Sequence, residues 1–266
     1  MVRETTYSIC ATTYNTVETV ERAIEPLLLL PQEYEVVIVD SKSTDGTYER
    51  LKEYEPRIRV ISERCTRGRG RDIAIRNANG RYVIMIDFDV VYYDIGGVLA
   101  RYLDLLNSKL ILVNPKTRSC NAPIVLGSRD IFLRIGSYPN INVAEDAYLH
   151  RVASSLGILI DEIYDFKHAC IKVRGGTSGK ESRYESNVIG KFCRAAFATR
   201  DSLFVKHLSF SEFTRVRKLS GIQKLIIGLP MYIIGITLRP TIRIERVEDR
   251  VHRLLKSGPW ENNLAS

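Results

Sequence analysis

The stretch Tyr82-Val83-Ile84-Met85-Ile86-Asp87-Phe88-Asp89 decides the fold of this chain of 266 residues. Its apolar run, rich in β-branched residues, is typical of a strand buried on both faces. The run ends in two carboxylates with one residue between them, at the strand end where open α/β sheets bind ligands. Carboxylate oxygens suit a hard divalent ion, such as Mg²⁺ or Mn²⁺, that also holds phosphates. The alternative is an acidic strand end that only caps a neighbouring helix.

Two earlier segments repeat the pattern of a buried strand followed by a polar loop and a helix. Residues 7–11 lead into Thr12-Thr13-Tyr14-Asn15, and residues 35–40 lead into Ser41-Lys42-Ser43-Thr44-Asp45-Gly46-Thr47. Asn15, with Glu18 three residues later, predicts a helix start of the capping-box type. Such alternation implies right-handed βαβ crossovers and a mainly parallel sheet. The three polar loops should therefore lie along one edge of that sheet.

The order and spacing of these motifs resemble the inverting family-2 glycosyltransferases with the GT-A fold. The resemblance implies a three-layer α/β/α fold with a mainly parallel sheet, in a catalytic domain over residues 1–186. A basic helical C-terminal region over residues 187–266 would follow it. The matching segments, which extend over about residues 5–170, are Thr12-Thr13-Tyr14-Asn15, Val39-Asp40-Ser41-Lys42-Ser43-Thr44-Asp45-Gly46-Thr47, Arg71-Asp72-Ile73-Ala74-Ile75, Gly80-Arg81-Tyr82, Asp87-Phe88-Asp89 and Glu145-Asp146.

The resemblance also implies a nucleotide-sugar site built on these motifs. Asp89 would be the direct ligand of Mn²⁺ or Mg²⁺, and Asp87 would bond the ribose or help to hold the metal. Asp40 and Ser41 are alternatives for the contact with an edge of the base, because many relatives carry a second acid at the position of Ser41. The other nucleotide-sugar contacts would come from Thr12, Tyr14 and Arg71.

The aspartate of the Glu145-Asp146 pair is the candidate catalytic residue. In relatives that glycosylate a hydroxyl, this aspartate is the general base that removes the acceptor proton. Asp146 would do so as the hydroxyl attacks the anomeric carbon from the face opposite the leaving group. The alternative is an acid that only interacts with the dipole at a helix N-terminus.

Two glycine-rich basic stretches predict contacts with phosphate. Residues 64–71 contain four arginines and two glycines, which suits either a flexible clamp or a solvated loop. Residues 172–180 look like a lid over the diphosphate, with Arg174 and Lys180 as ligands, and are similar to a loop of the polyprenyl-phosphate sugar synthases. His168 would join the metal or diphosphate contacts, although a lone histidine is more often structural. The sequence around His150 shows no group of residues that would suggest a site.

The C-terminal quarter is strongly basic, although the net charge of the whole chain is only +8. Residues 191–256 carry 14 Lys and Arg against 5 Asp and Glu, so the rest of the chain is close to neutral. Within this region the apolar residues 225–238 lie between Lys224 and Arg239. They are fewer than the roughly 20 residues needed to span a bilayer, and Pro230 should kink a helix there.

These features predict an interfacial or re-entrant segment that holds the protein on an anionic membrane surface. The alternatives are a solvated basic face and a helix buried against the catalytic domain or against a second subunit of a homo-oligomer. Nucleic acid also attracts basic regions, but the apolar stretch favours lipid, and we predict no nucleic-acid partner. The first residues are polar and do not resemble a signal peptide, and the five cysteines are scattered along the chain. We therefore predict a cytoplasmic protein that is peripherally associated with the inner face of the cell membrane.

The candidate residues leave two subclasses of glycosyl transfer open. Asp146 favours a hydroxyl acceptor, such as the sugar of a lipid-linked or surface glycan. Arg174 and Lys180 favour a polyprenyl phosphate, which is already anionic and needs no base. We favour the hydroxyl acceptor and a nucleotide sugar as donor, with uridine first and guanosine second. Outside glycosyl transfer, the alternatives are a nucleotidyltransferase, which would normally show a glycine-rich loop after the first strand, and a non-catalytic nucleotide-binding or scaffold protein.

Overall fold

The computed structural model describes residues 6–115, 123–164, 170–172 and 188–257. Seven strands form one sheet in the order β3-β2-β1-β4-β7-β6-β8, and β5 pairs with β9 in a small second sheet. The strands are β1 (Tyr7–Thr13), β2 (Tyr34–Asp40), β3 (Arg59–Ser62), β4 (Tyr82–Met85), β5 (Val90–Tyr92), β6 (Leu110–Pro115), β7 (Ile124–Ser128), β8 (Leu159–Tyr164) and β9 (Cys170–Lys172).

The large sheet is mainly parallel, as predicted. β1 runs parallel to β2 and β4, β2 parallel to β3, and β6 parallel to β8, whereas β7 is antiparallel to both of its neighbours. Thr13 lies opposite Asp40, and Cys10 lies opposite Met85. The loops that follow β1, β2 and β4 therefore meet at one edge of the sheet, which confirms the expected arrangement.

Helices cover both faces of this sheet. Alternate strand residues point to opposite sides, so that Ile84 joins one buried cluster, and Val83 and Met85 join the other. This gives the three-layer α/β/α architecture that the sequence predicts. The helices are α1 (Val20–Leu28), α2 (Thr47–Lys52), α3 (Arg67–Asn77), α4 (Ile95–Tyr102), α5 (Arg129–Arg134), α6 (Glu145–Ser155), α7 (Val188–Lys206), α8 (Phe210–Val216), α9 (Leu229–Leu238) and α10 (Val247–Ser257).

Two local predictions are wrong. Asn15 does not cap a helix: it has a positive φ of 50°, and its Oδ1 accepts a hydrogen bond from the N–H of Thr44 at 2.9 Å. A short 3₁₀ turn begins only at Val17, so Asn15 joins two loops instead of starting a helix. Residues 64–71 are not a flexible loop either, because α3 begins at Arg67 with Thr66 as its N-cap.

The C-terminal helices contact the rest of the protein. Phe204 and Val205 of α7, together with Val247 and Leu254 of α10, lie in the same buried cluster as the apolar face of α6. α9 packs on α7 through Gly235, where a Cβ would lie only 2.7 Å from Thr199 Cγ2. A division of the chain at residue 186 stays a prediction.

The apolar stretch around Pro230 is helical. A π-helical turn at Lys224–Gly228 leads directly into α9. Pro230 follows this turn within a continuous run of helical backbone, so its missing N–H removes a helical hydrogen bond there, and the irregular π-helical turn lies on its N-terminal side. In the described part of the chain, no helix combines the length and the apolar character needed to cross a bilayer.

Candidate active site

The end of β4 projects two carboxylates from a well-anchored backbone. Phe88, between Asp87 and Asp89, is buried in the core. Upstream, the N–H of Ile86 donates to the carbonyl of Cys10 at 3.0 Å, and the N–H of Asp87 donates to Tyr92 Oη at 3.3 Å. The two acids therefore leave the sheet from fixed positions, although the side chain of Asp87 keeps about a third of its surface accessible.

The N-terminus of α3 approaches this edge unusually closely. A Cβ at Gly68 would lie 1.9 Å from the carbonyl oxygen of Pro139, and a Cβ at Gly70 would lie 2.4 Å from Thr12 Oγ1. The two glycines thus serve close packing of a helix, which a purely local interpretation of residues 64–71 misses. This packing brings Arg71, on the same turn of α3, to the end of β4.

Arg71 joins the carboxylates from two distant parts of the sequence. Its Nη2 donates to Asp87 Oδ1 at 2.6 Å, and its Nη1 donates to Asp146 Oδ1. Nη1 also lies 3.6 Å from Glu145 Oε1, and the guanidinium lies over the ring of Tyr138, 5.2 Å from its centroid. Asp87, predicted to bond the ribose or to help hold the metal, and Asp146, the predicted base, therefore share one arginine.

Charge is unevenly balanced in this cluster. Burial raises the pKa of Asp87, as do the charges of Asp146 and Asp89, while Arg71 opposes the rise. Burial likewise raises the pKa of Glu145, which is only 1 % exposed, and the charge of Arg71 again acts to lower it. The carboxylates of Asp87, Glu145 and Asp146 therefore repel one another within the described part of this cluster. A bound cation would relieve the repulsion between them.

Arg71 itself stays charged. Burial acts to lower the pKa of its guanidinium, but the charges of Asp146 and Asp87 raise it, and the net pKa lies well above the ordinary value. Because the side chain is only 5 % exposed, its ion pairs are shielded from salt far more than surface pairs are.

A small pocket opens between these groups. Among the described residues, two polar atoms of its lining, Arg71 Nε and Tyr138 Oη, are buried without a hydrogen-bond partner. Buried polar groups in proteins are normally satisfied, so these atoms mark a place for a bound ligand or water. The lining consists of Arg71, Met85, Ile86, Asp87, Pro123, Val125, Tyr138 and Asp146.

Glu145 and Asp146 form the first turn of α6, with Ala144 at a positive φ of 65° before them. His150, one turn further along α6, has a buried Nε2 without a partner among the described residues. Burial lowers the pKa of His150, and the charges of Asp146 and Asp161 oppose this. The expectation that His150 stands apart from other charged groups is therefore wrong, and its i, i+4 spacing from Asp146 was the available signal.

The loops after β1 and β2 form the other side of the site. Thr12 Oγ1 donates to the carbonyl of Val39 at 3.2 Å, and Ser41 Oγ lies 3.4 Å from Cys65 Sγ. Asp40 is fully buried, and its carboxylate accepts hydrogen bonds from the backbone and hydroxyl of Ser43. Tyr14, two residues after Thr12 in the chain, is partly exposed. Ser41 keeps slightly more accessible surface than Asp40.

The residues present fit a divalent cation of the Mg²⁺ or Mn²⁺ class. Asp87 and Asp89 offer hard oxygen ligands at one strand end. Within the described ranges, no group of three or more His, Cys, Asp or Glu side chains could hold an ion. One or two carboxylates, completed by substrate phosphates and water, are the usual protein share of such sites.

Not every predicted residue can be placed. Arg174, Lys180 and His168 lie outside the described residues. The structure brings together Arg71, Asp87 and Asp146, to which the sequence analysis assigned separate roles. Glu145 and Tyr138 were missed as members of the site, and only the neighbourhood of Asp146 in the sequence pointed to Glu145.

Comparisons with known proteins identify the family to which this chain is similar. A family model described as glycosyl transferase family 2 matches residues 8–141. The poly(ribitol-phosphate) beta-glucosyltransferase of Bacillus spizizenii is 32% identical over 91 residues, which cover 31% of this chain and 14% of that protein. This chain also covers 53% of one solved S. aureus TarS chain, so it spans only part of these relatives.

Solved structures share the fold. S. aureus TarS 1-349 in complex with UDP-GlcNAc superposes with a TM-score of 0.61 at 17% identity, covering 97% of this chain and 89% of that one. The mannosyltransferase PcManGT from Pyrobaculum calidifontis, in complex with GDP-Man and Mn²⁺, gives a TM-score of 0.52 at 16% identity. That match covers 97% of this chain and 78% of the mannosyltransferase. The predicted GT-A fold is thereby confirmed.

Proposed function

Because this chain belongs to glycosyl transferase family 2, we propose that it moves a sugar from a nucleoside-diphosphate sugar to a hydroxyl of a lipid-linked or other membrane-associated glycan. Transfer would invert the anomeric carbon and depend on Mn²⁺ or Mg²⁺. The observation that carries the proposal is the convergence of Asp87 and Asp146 on Arg71, at the edge where the loops after β1, β2 and β4 meet.

Asp146 is the proposed general base. Its Oδ1 accepts from Arg71, which leaves Oδ2 for the acceptor proton. As the acceptor oxygen forms a bond to the anomeric carbon, the bond from that carbon to the diphosphate oxygen breaks. The proton passes to Asp146, and the electron pair leaves on the nucleoside diphosphate. A base within hydrogen-bond reach of that proton contributes about 10²–10⁴-fold in rate.

Arg71 is the proposed organiser of these charges. Its planar guanidinium holds Asp146 with one nitrogen and Asp87 with the other, a geometry that lysine does not reproduce. The ion pairs keep both carboxylates oriented before substrate arrives. Asp89 and Asp87 would hold the divalent ion, which when bound stabilises negative charge on the leaving diphosphate.

The donor follows from the relatives. Solved structures of this fold hold UDP-GlcNAc, UDP or GDP-Man, which supports a uridine donor first and a guanosine donor second. The decisive assay incubates the purified protein with a panel of UDP-sugars and GDP-sugars, Mn²⁺ and lipid extract. We expect one donor to release its nucleoside diphosphate, and that release should depend on the lipid extract.

Other outcomes of the same assay separate the alternatives. Release of pyrophosphate in place of a nucleoside diphosphate would indicate nucleotidyl transfer. Tight binding of a nucleoside diphosphate with no turnover of any donor would indicate a non-catalytic nucleotide-binding protein. Either result would contradict the proposed glycosyl transfer.

The same proposal includes attachment to the cytoplasmic face of a membrane. Six large apolar side chains are exposed between residues 222 and 236, in the described part of the chain, and we call them the isoleucine face. Three basic residues that lie within or beside this stretch in the sequence, Lys218, Lys224 and Arg243, are exposed as well. Apolar burial with flanking basic charge suits an anionic bilayer surface. The face consists of Ile222, Ile226, Ile227, Leu229, Ile233 and Ile236.

We expect the protein to float with anionic liposomes in a density gradient, and the double substitution Ile226→Asp and Ile233→Asp to abolish flotation. Each basic residue near the bilayer adds about 1 kcal/mol, a contribution that salt screens, whereas the apolar contribution is not screened. High salt should therefore release the protein only partly, and detergent should release it fully.

The matched control is Leu29→Asp, since Leu29 is 82% exposed at the end of α1, outside the isoleucine face. Point substitutions are preferable to truncation at Ser220, because α10 contributes Val247 and Leu254 to the core. If the unaltered protein stays at the bottom of the gradient, the isoleucine face serves contacts between copies of the chain instead.

A further inference from the structure

The turn that precedes Asp146 is tied to α3. The N–H of Gly68 donates to the carbonyl of Ile141 at 3.0 Å, and the N–H of Arg67 donates to Asn142 Oδ1 at 3.0 Å. Thr66 Oγ1 adds a bond to Asn140 Oδ1 at 2.7 Å. These bonds hold the start of residues 140–144 against the helix that carries Arg71.

The end of the same turn is tied to α7 by a buried acid. Asp201 is 1 % exposed, and its Oδ2 accepts from the N–H of Asn142 at 3.4 Å. The backbone of Val143 adds a smaller interaction that lowers the pKa of Asp201, against the larger rise caused by burial. On its other side, Asp201 Oδ1 accepts from Arg200 Nε at 2.9 Å and Nη2 at 2.7 Å. A buried carboxylate thus bridges α7 and the backbone next to the site.

The position of this bridge relative to Asp146 gives it a functional consequence. After Val143 the chain passes through Ala144, in a left-handed conformation, and begins α6 with Glu145 and Asp146. Ala144, the N-cap residue, has no side chain that could cap this helix start. The orientation of Asp146 therefore depends on its bond to Arg71 and on the hydrogen bonds that hold residues 140–142. A misplacement of about 1 Å in such a group can cost about 10²-fold in rate.

We propose that Asp201 is a positioning residue for glycosyl transfer: it fixes the turn that presents Asp146 to the acceptor hydroxyl. The inference rests on the proposed function of Asp146. It also assigns a role in the reaction to α7, which lies outside the segment matched by the family model.

The test compares Asp201→Asn with unaltered protein, using the donor and acceptor found in the panel assay. The variant keeps the shape of the side chain but has only one acceptor oxygen for Arg200 and the N–H of Asn142. We expect kcat for transfer to fall about 10-fold or more. Affinity for the nucleoside diphosphate, measured by calorimetry, should stay unchanged, because the described partners of Asp201 are Asn142 and Arg200, away from the loops after β1 and β2.

A double-mutant cycle distinguishes positioning from general structure. In an Asp146→Asn background, Asp201→Asn should cause no further loss of kcat, because there is no base left to position. A role limited to structural integrity would lower kcat by the same factor in both backgrounds. Asp249→Asn, an exposed aspartate in the first turn of α10, is the control and should change nothing.

The remaining outcomes are also decisive. Unchanged kcat in folded Asp201→Asn would overturn the inference and leave the proposed function intact, whereas no transfer by the unaltered protein would overturn the proposed function itself. If Asp201→Asn does not fold, Arg200→Gln loosens the same carboxylate from its other side. Full kcat in that folded variant would overturn the inference, and a reduced kcat at unchanged nucleotide affinity would support it.

Discussion

Replacing Asp89 by alanine is expected to remove nearly all sugar transfer while the fold survives. Asp89 follows the buried Phe88 at the end of β4, and its loss should remove the direct ligand of the divalent ion. Loss of one contact that stabilises developing charge costs about 10²–10³-fold in kcat. Loss of an entire metal site should cost at least as much, because the leaving diphosphate would then depart without its counter-ion.

Three measurements check this prediction. Excess chelator should abolish turnover by the unaltered protein, and Mn²⁺ or Mg²⁺ should restore it. Calorimetric titration with Mn²⁺ in the presence of the nucleoside diphosphate should show binding that Asp89→Ala has lost. Asp104→Ala, at an exposed aspartate of the 3₁₀ turn Leu103–Leu105, should behave like unaltered protein in every assay.

Two results would contradict the metal site. One is full turnover in excess chelator, and the other is an active Asp89→Ala protein. A variant that loses activity together with its thermal unfolding transition would not test the site, so Asp89→Asn is measured in parallel. It retains the side-chain shape but lacks the charge that a hard divalent ion requires.

The strands could be predicted from the sequence because their information is local. The runs before Asp40 and Asp87 are rich in β-branched residues and buried on both faces, so pattern and structure agree. The parallel arrangement followed from the alternation of strands with helices. These features together located the edge of the sheet where the candidate site lies.

The features that the sequence did not predict depend on contacts between residues that are far apart in the chain. The glycines at 68 and 70 resemble a loop locally, but they allow α3 to approach Pro139 and Thr12, which are distant in sequence. Likewise, 75 residues separate Arg71 from Asp146, and no local pattern shows that they form an ion pair. The sequence thus predicted the candidate groups one by one, whereas the contacts that join Arg71, Asp87 and Asp146 are visible only in the fold.

A second large effect is expected from Asp146→Asn, which should lower turnover by about 10²-fold or more. Asparagine keeps the shape of the side chain, and its carbonyl oxygen can still accept the hydrogen bond from Arg71. It cannot take a proton from the acceptor. Affinity for the nucleoside diphosphate should therefore be retained, and the loss should appear in kcat.

The control separates a base from an ordinary acid at a helix start. Asp130 also lies in the first turn of a helix, α5, where its side chain is 73% exposed and pairs only loosely with Arg134 at 3.5 Å. Interaction with a helix dipole contributes about 0.3–1 kcal/mol to stability and nothing to proton transfer. Asp130→Asn should accordingly leave kcat unchanged, with at most a small shift in Tm.

The result for Asp146→Asn also decides the class of acceptor. A hydroxyl must lose its proton as it attacks, so its transfer depends on a base, whereas a polyprenyl phosphate attacks as an anion. Normal turnover by Asp146→Asn on the native acceptor would therefore contradict a hydroxyl acceptor and favour the polyprenyl-phosphate alternative. In that case Asp146 would serve only to hold Arg71 at the edge of the sheet. Arg71→Lys should then impair donor binding more than Asp146→Asn does, because lysine has no planar fork that could reach both carboxylates.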